Sequence, residues 1–130
     1  MSDSIFTKII KGEIPSYKVY EDDKTIAIIP LHTVGKGHVL VIPKNEVDLF
    51  IDLPDDDYHA LWATVKKVGQ RMNEVLKPKR IGIQVIGTDV PHAHIHVIAF
   101  DTSNEYYERS DESKEPDHKK LEEMARKLAF

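Results

Sequence analysis

The stretch VPHAHIHVIAF, Val90 to Phe100, alternates polar and apolar residues with a period of two. Only an extended strand turns that alternation into two unlike faces, with His92, His94 and His96 on one and Ala93, Ile95 and Val97 on the other. The run therefore demands a two-faced sheet. Its apolar side calls for covering helices, and the imidazoles are expected on the opposite surface.

The rest of the chain supplies partners for such a strand. SYKVY and TIAIIP, separated by the turn-like EDDK, read as a strand pair; HVLVIP is a third strand, entered through GKGH; RIGIQVIG is a fourth. Ser4 is positioned to cap a short helix carrying Ile5, Phe6, Ile9 and Ile10, with Gly12 as its stop. Between the third and fourth strands, Leu61, Trp62, Val65, Val68, Met72, Val75 and Leu76 repeat at helical spacing and mark one face of a long helix. After Phe100 the chain turns polar and acidic, as expected of a surface loop, before Leu121, Met124, Ala125 and Leu128 mark a closing helix. Two strands, a third, a helix and two strands in succession do not form an alternating βαβ series. The expected fold is α+β: about five mainly antiparallel strands, one long helix and shorter terminal helices, with the helices on one side.

Composition narrows the function. At 130 residues the chain is expected to be a single domain, 1–130, with 101–130 as polar loop and C-terminal helix. A net charge of −4 offers no broad basic field, which disfavours a nucleic acid polymer but leaves a single nucleotide open. Without cysteine there is no disulfide framework and no thiolate metal site. The N-terminal residues lack the apolar core of a signal peptide, and no stretch approaches the roughly 20 apolar residues of a membrane span. A cytoplasmic protein, free of the membrane, is the expectation.

Three readings of the histidine run compete. A structural role would require burying three imidazoles from one strand face at a heavy desolvation cost. A metal centre is the second reading, since two histidines separated by one residue on a strand can share an ion; the run, however, holds no neighbouring acidic ligand. The third is nucleophilic: a neutral imidazole attacks phosphorus near pH 7 provided a carbonyl holds Nδ1–H and leaves Nε2 bare. Flanking histidines would then donate to phosphate oxygens and the leaving group.

The run HAHIHVI resembles the signature of the histidine-triad (HIT) family, His-φ-His-φ-His-φ-φ with φ apolar. IFTKIIKGEIPSYKVYEDD is similar to that family's opening helix and hairpin, and GHVLVIPK to the strand bearing a fourth functional histidine, here His38. The resemblance extends to the bacterial nucleoside-phosphoramidase branch. It implies a nucleotide hydrolase or transferase that cleaves a purine nucleoside monophosphate from an amine, acyl or phosphate group without a required cofactor. It further implies His94 as nucleophile, His92 as its orienting neighbour, His96 at the phosphate or leaving group, and His38 completing the cluster. A homodimer is implied as well, with the long helix around Trp62 and Met72 as an interface element, the alternative being that its stripe packs only on its own sheet. Adventitious zinc on four clustered histidines, a zinc-dependent hydrolase using them, and a nucleotide-binding regulatory module with little turnover are the alternatives.

The chain departs from the family pattern in two places. Pro30 stands eight residues before His38, where many members hold the ribose with Asp or Asn, and the loop before the triad is reduced to GTDV. Thr88 and Asp89 are thus the candidate phosphate or leaving-group contacts, and His32 the candidate replacement at the ribose. Lys36 and Lys44 could meet phosphate, but lysines near strand ends are usually only solvated and both read so; His59 and His118 read as surface residues.

Overall fold

The computed structural model describes residues 3–130. Ser4, in extended conformation, accepts the Thr7 amide on its side chain and so starts α1 (Ile5–Ile10). Gly12, at φ +79°, lets the chain leave that helix, because the left-handed region favours a residue without Cβ. β1 (Tyr17–Glu21) and β2 (Thr25–Ile29) are joined at Asp22, whose carboxylate accepts the Lys24 and Thr25 amides at 3.0 and 2.8 Å. Then follow β3 (Gly37–Pro43), α2 (Asp55–Leu76), β4 (Arg80–Gln84), β5 (Ile95–Phe100), α3 (Ser103–Tyr107) and α4 (His118–Leu128). The sheet order is β1-β2-β3-β5-β4, and every neighbouring pair is antiparallel. The expected α+β architecture is the one observed.

Helices α2 and α4 cover one face of the sheet. Leu61, Val65, Val68 and Met72 of α2, with Leu121 and Leu128 of α4, meet Val39, Val41, Ile95 and Val97 in the main core. This settles where the long helix spends its apolar stripe. Leu61, Val68 and Met72 have no exposed surface within the single chain, and half-buried Trp62 packs on the same core, so the stripe lies on its own sheet. Of the two readings of the stripe, packing on its own sheet holds for Leu61, Val68 and Met72, while Trp62 keeps part of its surface open.

A correction concerns the other face. The helices do not all lie on one side: Phe6, Ile9 and Ile10 of α1 pack against Ile26, Ile28, Leu40 and Ile42 there. The cause is visible in the strands. Every residue of β2 and β3 is buried, so both of their sides are apolar and both need cover.

The segment expected as a plain loop contains α3, started by a reciprocal cap in which Thr102 and Glu105 satisfy each other's backbone amides. Tyr106 of α3 lies over Gly82 of β4, beside Phe100, and donates its hydroxyl to the Ile83 carbonyl at 3.0 Å. A Cβ on residue 82 would overlap the Tyr106 ring. Gly82→Ala should therefore cost about 1–3 kcal/mol through overpacking. Urea melts check this, and an unchanged midpoint would contradict the packing described.

Candidate active site

The histidines are gathered by β3, β5 and the extended residues before β5. β5 begins at Ile95, so His96 alone of the three stands on a strand; His92 and His94 precede it. The alternation nevertheless persists through the irregular residues: Ala93, Ile95, Val97 and Ala99 enter the helix-covered core, while His94 and His96 face a cleft on the other side. His92 departs from the expected common face. It is fully buried and hydrogen-bonded by both ring nitrogens, to the Pro43 carbonyl (2.7 Å) and to Ser4 Oγ (2.7 Å). Those two bonds offset the desolvation that made a buried histidine look costly.

The hydrogen bonds assign the tautomers, because a carbonyl only accepts and a backbone N–H only donates. His94 Nδ1–H donates to the His92 carbonyl at 2.8 Å, which leaves Nε2 as a bare lone pair. His38 Nδ1 accepts the Val34 amide at 3.1 Å, so its Nε2–H donates to His96 Nδ1 at 2.9 Å. That in turn puts the His96 proton on Nε2. The cleft thus receives an acceptor nitrogen from His94 and a donor nitrogen from His96. Their rings are 5.2 Å apart, and the Phe6 ring meets His94 edge-on at 4.8 Å.

All four imidazoles are held neutral. Burial, reinforced by the neighbouring His96, pushes His38 down to about 3. Burial and then His94 push His96 down to about 4. For His94 burial also dominates and lowers the pKa, while the bond to the His92 carbonyl and the charge of Asp89 oppose it. His92 is lowered chiefly by burial too.

The cleft has a volume of about 1040 Å³. Its apolar part is lined by Phe6, Ile9, Ile28, Pro30 and Leu31, and its polar part by Gln84, Thr88, Asp89 and Arg109. His38, His94, His96, Thr88, Asp89 and His32 all line it, so six of the seven histidine and loop candidates named from the sequence are brought together, with His92 behind them. His32 Nε2–H donates to the Lys114 carbonyl at 3.1 Å, which ties the later loop to the cleft and occupies that nitrogen. Lys36 and Lys44 stand outside, paired with Asp101 (3.1 Å) and Glu21 (2.8 Å). As expected of lysines near strand ends, neither lines the cleft. His59 and His118 are both exposed, as expected, and His118 bonds the Tyr17 hydroxyl at the surface.

As for metal, no group of three or more His, Asp or Glu side chains among the described residues is arranged to hold an ion. The hydrogen bonds give the reason: both nitrogens of His92 and of His38 are engaged, leaving one free ring nitrogen each on His94 and His96. Sequence reading missed Tyr106 and Arg109 on the cleft wall, and Glu46, which binds the Ser4 amide behind His92. A Thr102-to-Glu105 capping pattern was the available signal for the wall; Glu46 had none.

A HIT domain model matches residues 11–103. The adenosine 5'-monophosphoramidase HNT1 of Candida albicans is 35% identical over 103 residues, covering 72% of this chain and 68% of that one. The crystal structure of a Hit-like protein involved in cell-cycle regulation from Bartonella henselae superposes with a TM-score of 0.84 at 27% identity, over 98% and 97% of the two chains. A Zn-bound histidine triad family protein from Mycobacterium smegmatis gives a TM-score of 0.78 at 28% identity, over 95% and 88%. The wall built by residues 106–112 lies past the matched segment, whereas the histidines and both strands that carry them fall inside it. With sequence, fold and histidine placement in agreement, the chain belongs to the histidine-triad family.

Proposed function

We propose that the protein hydrolyses a nucleoside monophosphate derivative, a purine phosphoramidate by preference, through a covalent intermediate on His94. The observation that carries this reading is the bare Nε2 of His94, presented to the cleft by the 2.8 Å bond from its Nδ1–H to the His92 carbonyl. The Nε2 lone pair attacks the α-phosphorus, the bond from phosphorus to the leaving nitrogen breaks, and that nitrogen takes the proton of His96 Nε2–H, which the water of the second step restores. Water then attacks phosphorus, the P–Nε2 bond breaks, and the nucleoside monophosphate is released. Over the two steps one water supplies the proton that the departing amine gains and the hydroxyl that phosphate gains.

The apolar part of the cleft suits a purine base, and Thr88 and Asp89, in its polar lining, are the groups offered to phosphate or leaving group. The named activity of the Candida albicans relative supports the reading. No metal or cofactor takes part in this scheme, so turnover is expected to survive chelation; its loss would favour the zinc-dependent alternative. The setting is cytoplasmic. The working form is a homodimer, and the β4 edge of the sheet, with Ile83 43% exposed, is the surface offered for pairing in place of the buried α2 stripe. Sedimentation at micromolar concentration should give twice the chain mass, and a monomer would refute it.

His94→Ala should lower kcat on an adenosine phosphoramidate by at least ~10³-fold while nucleoside monophosphate binding changes little, because only the covalent step uses Nε2. Binding without turnover in the unaltered protein would instead favour the regulatory module. The pH profile has a definite sign. Since burial lowers the His94 pKa, its reactive neutral form prevails above a value below 6.5. The rate kcat/KM should be level from pH 7 upward and decline on the acid side of that value; an inflection above 6.5 would contradict the assignment.

Ribose recognition is expected to be weak. Pro30 lines the cleft and offers no side-chain donor or acceptor, and His32 has committed Nε2 to Lys114. A carboxylate holding ribose hydroxyls would contribute about 1.5–3 kcal/mol. Matched ribo- and deoxyribo-phosphoramidates should accordingly differ less than about 100-fold in kcat/KM. A larger preference would mean that another group holds the hydroxyls.

A further inference from the structure

Behind His92 lies a set of polar groups that the proposed reaction does not touch. The Ser4 amide and the Thr7 hydroxyl both donate to Glu46 Oε1, at 2.7 and 2.6 Å. Ser4 Oγ accepts the Thr7 amide at 3.1 Å as the cap of α1. It also lies 2.7 Å from His92 Nδ1. The direction of that last bond follows from the far side of the ring. Pro43 offers only a carbonyl to His92 Nε2, so Nε2 carries the proton, Nδ1 is bare, and the serine hydroxyl donates to it.

His92 is completely buried and Ser4 is 9% exposed, so water is a poor substitute for either partner. Glu46 is an anion throughout the neutral range, pushed down to about 2 first by the Thr7 hydroxyl and then by the Ser4 amide. It fixes the backbone and side chain that together present the serine hydroxyl. The same His92 residue whose ring is clamped between Ser4 and Pro43 supplies the carbonyl that accepts His94 Nδ1–H.

We infer that Ser4, held by Glu46 and Thr7, is a positioning residue for catalysis: its hydroxyl locks the His92 ring, and with it the carbonyl that keeps His94 in the Nδ1–H tautomer. This rests on His94 being the nucleophile. The helix cap and the reaction centre thereby share one hydroxyl. A nucleophile in the wrong tautomer presents N–H where a lone pair is required, so the effect falls on the chemical step rather than on binding.

The test separates the cap from the hydroxyl. Aspartate caps a helix as well as serine does, but its carboxylate cannot donate to His92 Nδ1. Threonine keeps both abilities. In Ser4→Asp, kcat on an adenosine phosphoramidate should fall at least ~10-fold with KM within about twofold, whereas Ser4→Thr should stay near the unaltered rate. Nitrogen-15 imidazole spectra should show His94 as the Nδ1–H tautomer in the unaltered protein and in Ser4→Thr, and as a mixture in Ser4→Asp. The spectra read the inference even if the unaltered protein fails to turn over, an outcome that would sink the hydrolase reading alone. Retention of both the tautomer and kcat in folded Ser4→Asp would overturn the positioning role.

Discussion

A single hydrogen bond, from His94 Nδ1–H to the carbonyl of His92, decides what this site can do. It converts an ambiguous imidazole into one with a defined lone pair. Around it the chain spends unusual effort on histidine: His92 is wedged between a serine and a carbonyl, and His38 between an amide and His96. Burial lowers the pKa of all four. Neutral, tautomer-fixed imidazoles are what nucleophilic attack on phosphorus needs, whereas imidazolium ions would bind phosphate and not attack it.

The fold makes this arrangement affordable. β3 and β5 are central strands, packed by α2 on one side and partly by α1 on the other, so their histidines sit on a backbone with little freedom to shift. α1 does two jobs from the second face. Phe6 closes the apolar end of the cleft and pins His94 by its ring edge, and the helix cap reaches His92.

Much of this was legible in the sequence because it rests on period and order. The alternation through Val90–Phe100 placed Ala93, Ile95 and Val97 in the core, and the strand, helix and strand succession excluded a parallel sheet. What escaped was long-range. The face that α1 would take was implied by two strands apolar on both sides, but alternation in the histidine strand suggested an open surface instead. His92 looked equivalent to His94 and His96 because sequence spacing does not reveal that its ring would find Ser4 and Pro43, residues far away in the chain. The α2 stripe was ambiguous for a related reason: apolar periodicity marks a face to be buried without saying whether the partner is the chain's own sheet or another copy.

The central claim is that phosphorus becomes bonded to His94. Protein mixed with excess adenosine phosphoramidate and quenched within milliseconds, then digested and mapped by mass spectrometry, reads this directly. The account predicts a nucleotidyl adduct on the peptide carrying residues 92–98, localised to His94 and decaying as product accumulates. Turnover that proceeds with no adduct, or with the adduct on His96 or His38, would contradict it.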